Sequence, residues 1–224
     1  MNDIKLGKRL SAAAELCREG SFIADVGTDH AYLPIALWQK GRIRGGVASD
    51  INQGPIDRAR AHISEYGAAG AISAIRCDGL SELEPYAPED IFILGMGGEL
   101  IVRILENAPW TRNKGTRLIL QPMTHPEAVR AFLWDNGYGI FSEKLVKEER
   151  IYHVIGAEYA GELTEYDEME LLFGKINLSE RSSELYELFE RTEEVMKERI
   201  RGKELGGGDT AYERKIIERI GEKK

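Results

Sequence analysis

Only four residues, 147–150, separate two runs that read as extended strands, 139–146 and 151–159. Parallel strands need a crossover of about a dozen residues or more, so these two runs must pair antiparallel as a hairpin. Upstream the spacing imposes the opposite. Apolar, β-branched runs at 21–26, 46–50, 72–77, 90–95 and 116–121 alternate with helical patterns at 31–40, 54–66, 98–107 and 125–136, and another helix at 5–18 precedes the first run. Every such gap holds a crossover helix, the arrangement that buries a mostly parallel sheet between two helical layers. The expected fold is α/β: a doubly wound, Rossmann-like sheet closed by a terminal antiparallel hairpin.

A chain of 224 residues with 42% apolar and 30% charged side chains supports one sizeable core and an appendage. No apolar run approaches the roughly 20 residues that cross a bilayer, and the first residues lack a signal-peptide core, so no membrane partner is expected and the cytoplasm is the expected compartment. Cys17 and Cys77 lie in unrelated segments and read as free thiols. His30, His62, His125 and His153 show no metal-ligand spacing with them, so no metal is expected, and the last three are assigned to helix or strand surfaces. A net charge of −8 argues against broad, nonspecific nucleic-acid binding while leaving room for a local basic surface. After Ala160 the composition turns helical, with Leu171, Leu185, Phe189, Met196 and Ile200 among many charges, and Asp209 or Thr210 placed to cap a last helix over 211–220. Two domains are expected, 1–160 and 161–224, the second two or three helices forming a coiled-coil-like hairpin.

The loop after the first run carries the chemistry. In Asp25-Val26-Gly27-Thr28-Asp29-His30 two acids surround a single glycine. A dinucleotide site would place several glycines there, so that backbone N–H groups approach a pyrophosphate. A carboxylate 4 Å from a phosphate charge is repelled by roughly 4 kcal/mol at the effective dielectric of a cleft. The ligand should therefore be cationic. S-adenosylmethionine (AdoMet), with an ammonium, a sulfonium and no phosphate, meets that requirement. Asp25 would hold its ammonium side and Gly27 would admit the backbone. Asp50 closes the second strand, where an acid accepts both ribose hydroxyls, and Asp78 follows the third, where it can accept from the adenine amine. Ile51, Gly79 and Gly95 complete the expected cofactor set. Each acid alone would equally suit a turn or a helix cap; their occurrence at three successive strand ends is what selects a cofactor site.

The fourth strand ends in Gly95-Met96-Gly97-Gly98 and lacks the Asn/Asp-Pro-Pro-aromatic sequence common in adenine-N6 methyltransferases. The glycines leave room for a flat base while Met96 presses on one face; a strand-to-helix turn with packing duties alone would also use them. Gln121 and Met123 border the same mouth by position.

In order, "DVGTDHAYLP", "SDIN", "RCDGL", "ILGMGG", "LILQPM" and "ERIYHVI" resemble the TrmK family, bacterial tRNA (adenine(22)-N1)-methyltransferases, over roughly residues 5–160. The helical extension matches in type, with Phe173-Gly174-Lys175 where the resemblance leads one to look for Phe-Gly-Pro. The resemblance implies a class I AdoMet methyltransferase fold and methyl transfer to adenine N1 of tRNA; a monomer or weak dimer is expected. It also puts Asp29, His30, Tyr32, Met96 and Gly97 near the acceptor: Tyr32 as a stacking partner for a flipped base, Asp29 beside the cationic product. Adenine N1 has a free lone pair at neutral pH, so positioning must supply most of the acceleration. Lys5, Lys8, Arg9, Arg42, Arg44, Arg112, Lys114 and Arg117 would contact phosphates if they shared a face, with Lys175, Arg181, Lys197, Arg199, Arg201 and Lys203 extending it. Two other readings use the same acids: a methyltransferase acting on another RNA or a small molecule, and a noncatalytic interaction protein on a cofactor-binding scaffold. An NAD-dependent oxidoreductase fits least, lacking the second and third glycines of that loop.

Overall fold

The computed structural model describes residues 3–224, and they divide into two compact units, one up to Thr164 and the other Glu165–Lys224. In the first, β1 (Ser21–Val26), β2 (Ile43–Asp50), β3 (Ile72–Arg76), β4 (Asp90–Gly97), β5 (Arg117–Thr124), β6 (Tyr138–Lys147) and β7 (Ile151–Tyr159) form one sheet in the order β3-β2-β1-β4-β5-β7-β6. β1 to β5 are parallel, and β7 runs antiparallel to both neighbours. The hairpin demanded by the short 147–150 connection is present, and it folds back so that β7 sits beside β5 (Arg117↔Glu158 to Leu120↔Ile155) and β6 forms the edge.

Side chains of successive strand residues point to opposite faces, and here both faces are covered. Ala24, Val26, Ile91, Ile93, Leu118 and Leu120 pack under α4 (Gly98–Glu106) and α5 (Pro126–Asp135) through Ile101, Leu105, Val129 and Leu133. The alternate residues Ile23, Phe92 and Ile119 meet α1 (Lys8–Glu15) and α2 (Tyr32–Gln39) through Ala13, Leu33 and Leu37. α3 (Gln53–Glu65) covers Ala48, Ile72 and Ala74. Two-sided burial explains why these strands read as continuous apolar runs.

Strand β2 starts three residues before the expected 46, running through Gly45 and Gly46. A Cβ on Gly45 would lie 2.7 Å from the Ala71 carbonyl oxygen and one on Gly46 2.9 Å from Ile23 Cγ1, so these glycines mark close strand packing, not a turn. His153 departs from its surface assignment. It is buried on β7, its Nδ1 lies 2.9 Å from Arg130 Nη2, and Arg130 Nε donates to Glu143 Oε1 at 2.6 Å, all three side chains nearly inaccessible. An interior arginine needs a carboxylate, and the pair recruits the imidazole as a further acceptor. Burial, with the Arg130 charge, holds His153 well below the ordinary histidine range, so the ring is neutral.

The second unit holds four helices instead of two or three: α6 (Glu168–Phe173), α7 (Lys175–Glu180), α8 (Ser183–Leu205) and α9 (Ala211–Lys223). The first apolar run is broken by two left-handed residues, Gly174 (φ 91°) and Arg181 (φ 55°). Asp167 and Glu170 form a reciprocal capping box on α6 and Ser182 caps α8. Before α9, Asp209 Oδ1 accepts the Ala211 N–H at 2.9 Å, as its position suggested. Phe173 and Phe189 meet edge to face at 4.7 Å in this unit's interior. Arg219 clamps Asp167 and Glu168 at 2.5 and 3.0 Å.

Candidate active site

The parallel strands deliver their C-terminal tips to one edge of the sheet, where open α/β sheets bind ligands. Asp25 is the penultimate residue of β1, Asp50 the last of β2, and Asp78 follows β3 by two residues, so all three acids lie along this edge. The loop after β1 is pinned to its neighbour: the Gly27 and Thr28 N–H groups both donate to the Ser49 carbonyl, at 2.8 and 2.9 Å. Gly27 has φ 77°, open to glycine at no steric cost. The loop then closes on α2 through Ala31 (φ 55°), whose N–H donates to Thr28 Oγ1 at 3.0 Å.

Asp25 is 7% exposed, and burial pushes its carboxyl up to about 6, opposed in part by the Thr28 hydroxyl. A buried acid with no cation paired to it among the described residues is what a cationic ligand group would ionise fully. Asp50 is half-buried and accepts the Asn52 N–H at 2.7 Å through Oδ1. Asp78 is exposed at a cleft of about 490 Å³, lined with it by Ile51, Gly79, Leu80, Ser81, Leu100, Arg103, Ile104 and Asn107. Three expected cofactor residues, Ile51, Asp78 and Gly79, share that cleft; Asp25, Gly27, Asp50 and Gly95 lie along the same edge outside its lining. Its far wall, Leu100, Arg103 and Ile104 of α4 with Asn107 just past the helix end, is a stripe that sequence reasoning missed; the spacing i, i+3, i+4, i+7 after the glycine turn was the available signal. Three acids, a positive-φ glycine approach and an apolar-walled cleft fit a nucleoside bearing cationic groups.

The acceptor side is built on the β4 tip. Gly95 has φ 75° with open space where a Cβ would stand, and the buried Gln121 Oε1 accepts its N–H at 3.1 Å. Met96 turns its terminal methyl to the β1 loop, where a Cβ on Gly27 would lie 2.0 Å away. Gly97 precedes α4, and a Cβ at the next residue, Gly98, would stand 2.2 Å from the His125 carbonyl oxygen. His30, Tyr32 and His62 form a ring cluster with all three centroid pairs at 5.0 Å, His30 and Tyr32 stacked only 11° from parallel. Tyr32 remains 38% exposed, and His62 extends this aromatic surface beyond the residues expected. His30 Nε2 meets Asp29 Oδ2 at 3.0 Å, while its Nδ1 is buried with no partner among the described residues. Asp29 is also gripped by Arg58, which with His30 holds its carboxyl below the usual range. Its negative charge is thus already shared with two neighbours.

The eight candidate phosphate contacts do not share a face. Arg42, Arg44, Arg112, Lys114 and Arg117 lie at or just before the starts of β2 and β5, the edge opposite the site, whereas Arg9 sits beside the β6–β7 turn at the site's edge. Among the described residues no group of His, Cys, Asp or Glu is arranged to hold a metal ion, and no helix is long and apolar enough to cross a membrane.

Residues 6–155 match a family model described as a methyltransferase domain. The chain is 35% identical over 177 residues to the tRNA (adenine(22)-N(1))-methyltransferase of Bacillus subtilis, covering 79% of this chain and 74% of that protein. Among solved structures, a Streptococcus pneumoniae protein in complex with S-adenosyl-L-methionine superposes with a TM-score of 0.87 at 28% identity, covering 96% of this chain and 99% of the other. Mycoplasma capricolum TrmK, bound to S-adenosyl-homocysteine, superposes at 0.80 with 25% identity over 97% of this chain and 96% of that one.

Proposed function

Because the chain belongs to the tRNA (adenine(22)-N1)-methyltransferase family, we propose that it transfers the methyl group of AdoMet to N1 of adenine 22 in tRNA. The observation that carries this reading is the row of Asp25, Asp50 and Asp78 along one sheet edge, directly beside a glycine turn at the β4 tip. When bound, AdoMet supplies an electrophilic methyl on a positively charged sulfur. Asp25 binds its ammonium side, Asp50 its ribose hydroxyls, and Asp78 its adenine amine, with Ile51, Gly79 and the α4 stripe walling the base. Gly27 and Gly95 keep the backbone clear of the ligand, and Met96 and Gly97 border the space for the acceptor base.

The acceptor nitrogen needs no deprotonation, so this chain's residues act by orientation. Tyr32, supported by His30 and His62, offers a stacking surface for an adenine swung out of the tRNA. The methylated base is a cation. Asp29 stands beside this surface, and its pairing with Arg58 and His30 makes it a smaller electrostatic contributor than a free carboxylate. A monomer or weak dimer acting in the cytoplasm is part of this reading.

The test is to incubate the protein with methyl-labelled AdoMet and unmodified tRNA, digest the product and map the labelled nucleoside by mass spectrometry. The expected product is 1-methyladenosine at position 22. AdoMet binding without label in tRNA would move the acceptor elsewhere.

A further inference from the structure

The arginines of the α/β unit are paired unevenly. At the edge where β1, β2 and β5 begin, Arg18 meets Asp90 at 2.6 Å, Arg42 meets Glu19 at 2.5 Å, and Arg44 and Arg117 pair with Glu89 and Glu158. At the site's edge, Arg9 and Arg150 have no carboxylate among the described residues within ion-pair distance of their guanidinium groups.

These two cations are nevertheless held together. Both guanidinium carbons lie over the Tyr152 ring, 4.8 and 4.9 Å from its centroid. Both also reach Met123: Arg9 Nη1 is 2.9 Å from its sulfur, and Arg150 Nη2 donates to its carbonyl at 2.8 Å. Two acids of the same turn bond other groups. Glu148 Oε1 accepts the Arg9 backbone N–H at 3.0 Å, which ties the hairpin tip to the first turn of α1, and Glu149 accepts from the Tyr152 hydroxyl at 3.3 Å. Cation–π contacts offset only part of the repulsion between like charges. An anion at this place would complete the arrangement, and the pre-set side chains would lower the entropic cost of binding it.

The pair adjoins the acceptor turn. Pro122 and Thr124, on either side of Met123, register with Met96 and Gly97 of β4. Gln121 bridges the two, accepting from the Gly95 N–H and placing its Nε2 3.6 Å from the Met123 sulfur. In strand order the arginines flank the β4 tip on the side away from the Asp78 cleft.

The geometry points to Arg9 and Arg150 as a phosphodiester-binding pair that grips the RNA backbone next to the target adenosine. This rests on the reading of tRNA as substrate. The guanidinium fork matches phosphate oxygens, and a base extruded from its stack requires that the flanking backbone be held. On a chain of net charge −8, two arginines outside any ion pair among the described residues, beside the acceptor turn, favour a polyanion and its orientation.

The test compares Arg9→Gln, Arg150→Gln and the double variant with wild type, using Arg44→Gln as a far-edge control. The double variant is expected to bind tRNA roughly ten-fold or more weakly, and the slope of log affinity against log salt to flatten by about one for each arginine removed. AdoMet affinity by calorimetry stays at the wild-type value, as does tRNA binding by Arg44→Gln. Unchanged tRNA affinity and slope in the double variant overturn the inference. So does loss of inorganic phosphate binding in that variant with tRNA binding intact, which would make this a free-anion site. Should the double variant lose AdoMet binding or thermal stability, the Arg9→Lys/Arg150→Lys protein decides: a retained salt slope supports the pair, a flattened one sinks it. Failure of wild-type protein to bind tRNA defeats the functional reading itself, whereas unchanged binding in the variants defeats only the arginine pair.

Discussion

The terminal methyl of Met96 occupies the space that a side chain on Gly27 would need, so the cofactor loop and the acceptor turn are packed against each other. Gly27→Ala therefore meets both a 2.0 Å contact and a φ of 77°. We expect a stability loss of about 1–2 kcal/mol from the backbone strain alone and weakened AdoMet binding. Adding Met96→Ala should relieve the contact and not the strain, giving partial recovery by thermal melting and calorimetry; full recovery would show that the left-handed backbone carries no penalty.

Asp25 makes cofactor binding dependent on pH. Its carboxyl is protonated below about 6 in the free protein and must ionise to hold an ammonium group. AdoMet affinity should fall by up to about ten-fold per pH unit below that point, and Asp25→Asn should bind weakly with no such dependence. The sign for stability is opposite: the raised value means a contribution present below the ordinary 3.8 and lost as pH rises through about 6. Asp25→Asn should accordingly melt higher than wild type at pH 8 without AdoMet.

Tyr32 should act on tRNA and not on the cofactor. Tyr32→Ala is expected to lower kcat/KM for tRNA by a factor corresponding to about 1–3 kcal/mol of lost stacking, leaving AdoMet binding intact, while Tyr32→Phe keeps most activity. Equal losses in the two variants would assign the effect to the hydroxyl.

The buried His153 should contribute to the acid side of the stability curve. His153 is depressed below 6.5, so its contribution is present above that value and lost as pH falls. Chemical denaturation at pH 7 and 5 should show a smaller difference for His153→Gln than for wild type. Glu143→Gln should cost about 3 kcal/mol or more at pH 7, because it removes the charge of the carboxylate that pairs with the interior Arg130.

The parts of this site that were readable from the chain are those set by local geometry. Asp25, Asp50 and Asp78 end or follow strands, and strand ends in a parallel sheet face one edge whatever else the fold does. The α4 wall was not read because its four side chains become a surface only when α4 packs beside the β3 loop. Arg9 and Arg42 are both plain surface cations in sequence; the order of strands puts one at the site and the other at the far edge. His153 looked like a strand-surface residue because nothing near it in sequence announces Arg130 and Glu143, which reach it from α5 and β6.

The placement of β7 between β5 and β6 also governs how the chain is assembled during synthesis. β5 leaves the ribosome with one side unpaired, and the strand that follows it, β6, has no seat beside it. That side stays open until the residues up to Tyr159 have emerged and β7 can pair with it. The α/β unit thus cannot close its sheet progressively from the N-terminus, and its last strand to be made is the one that converts an exposed edge into an interior position.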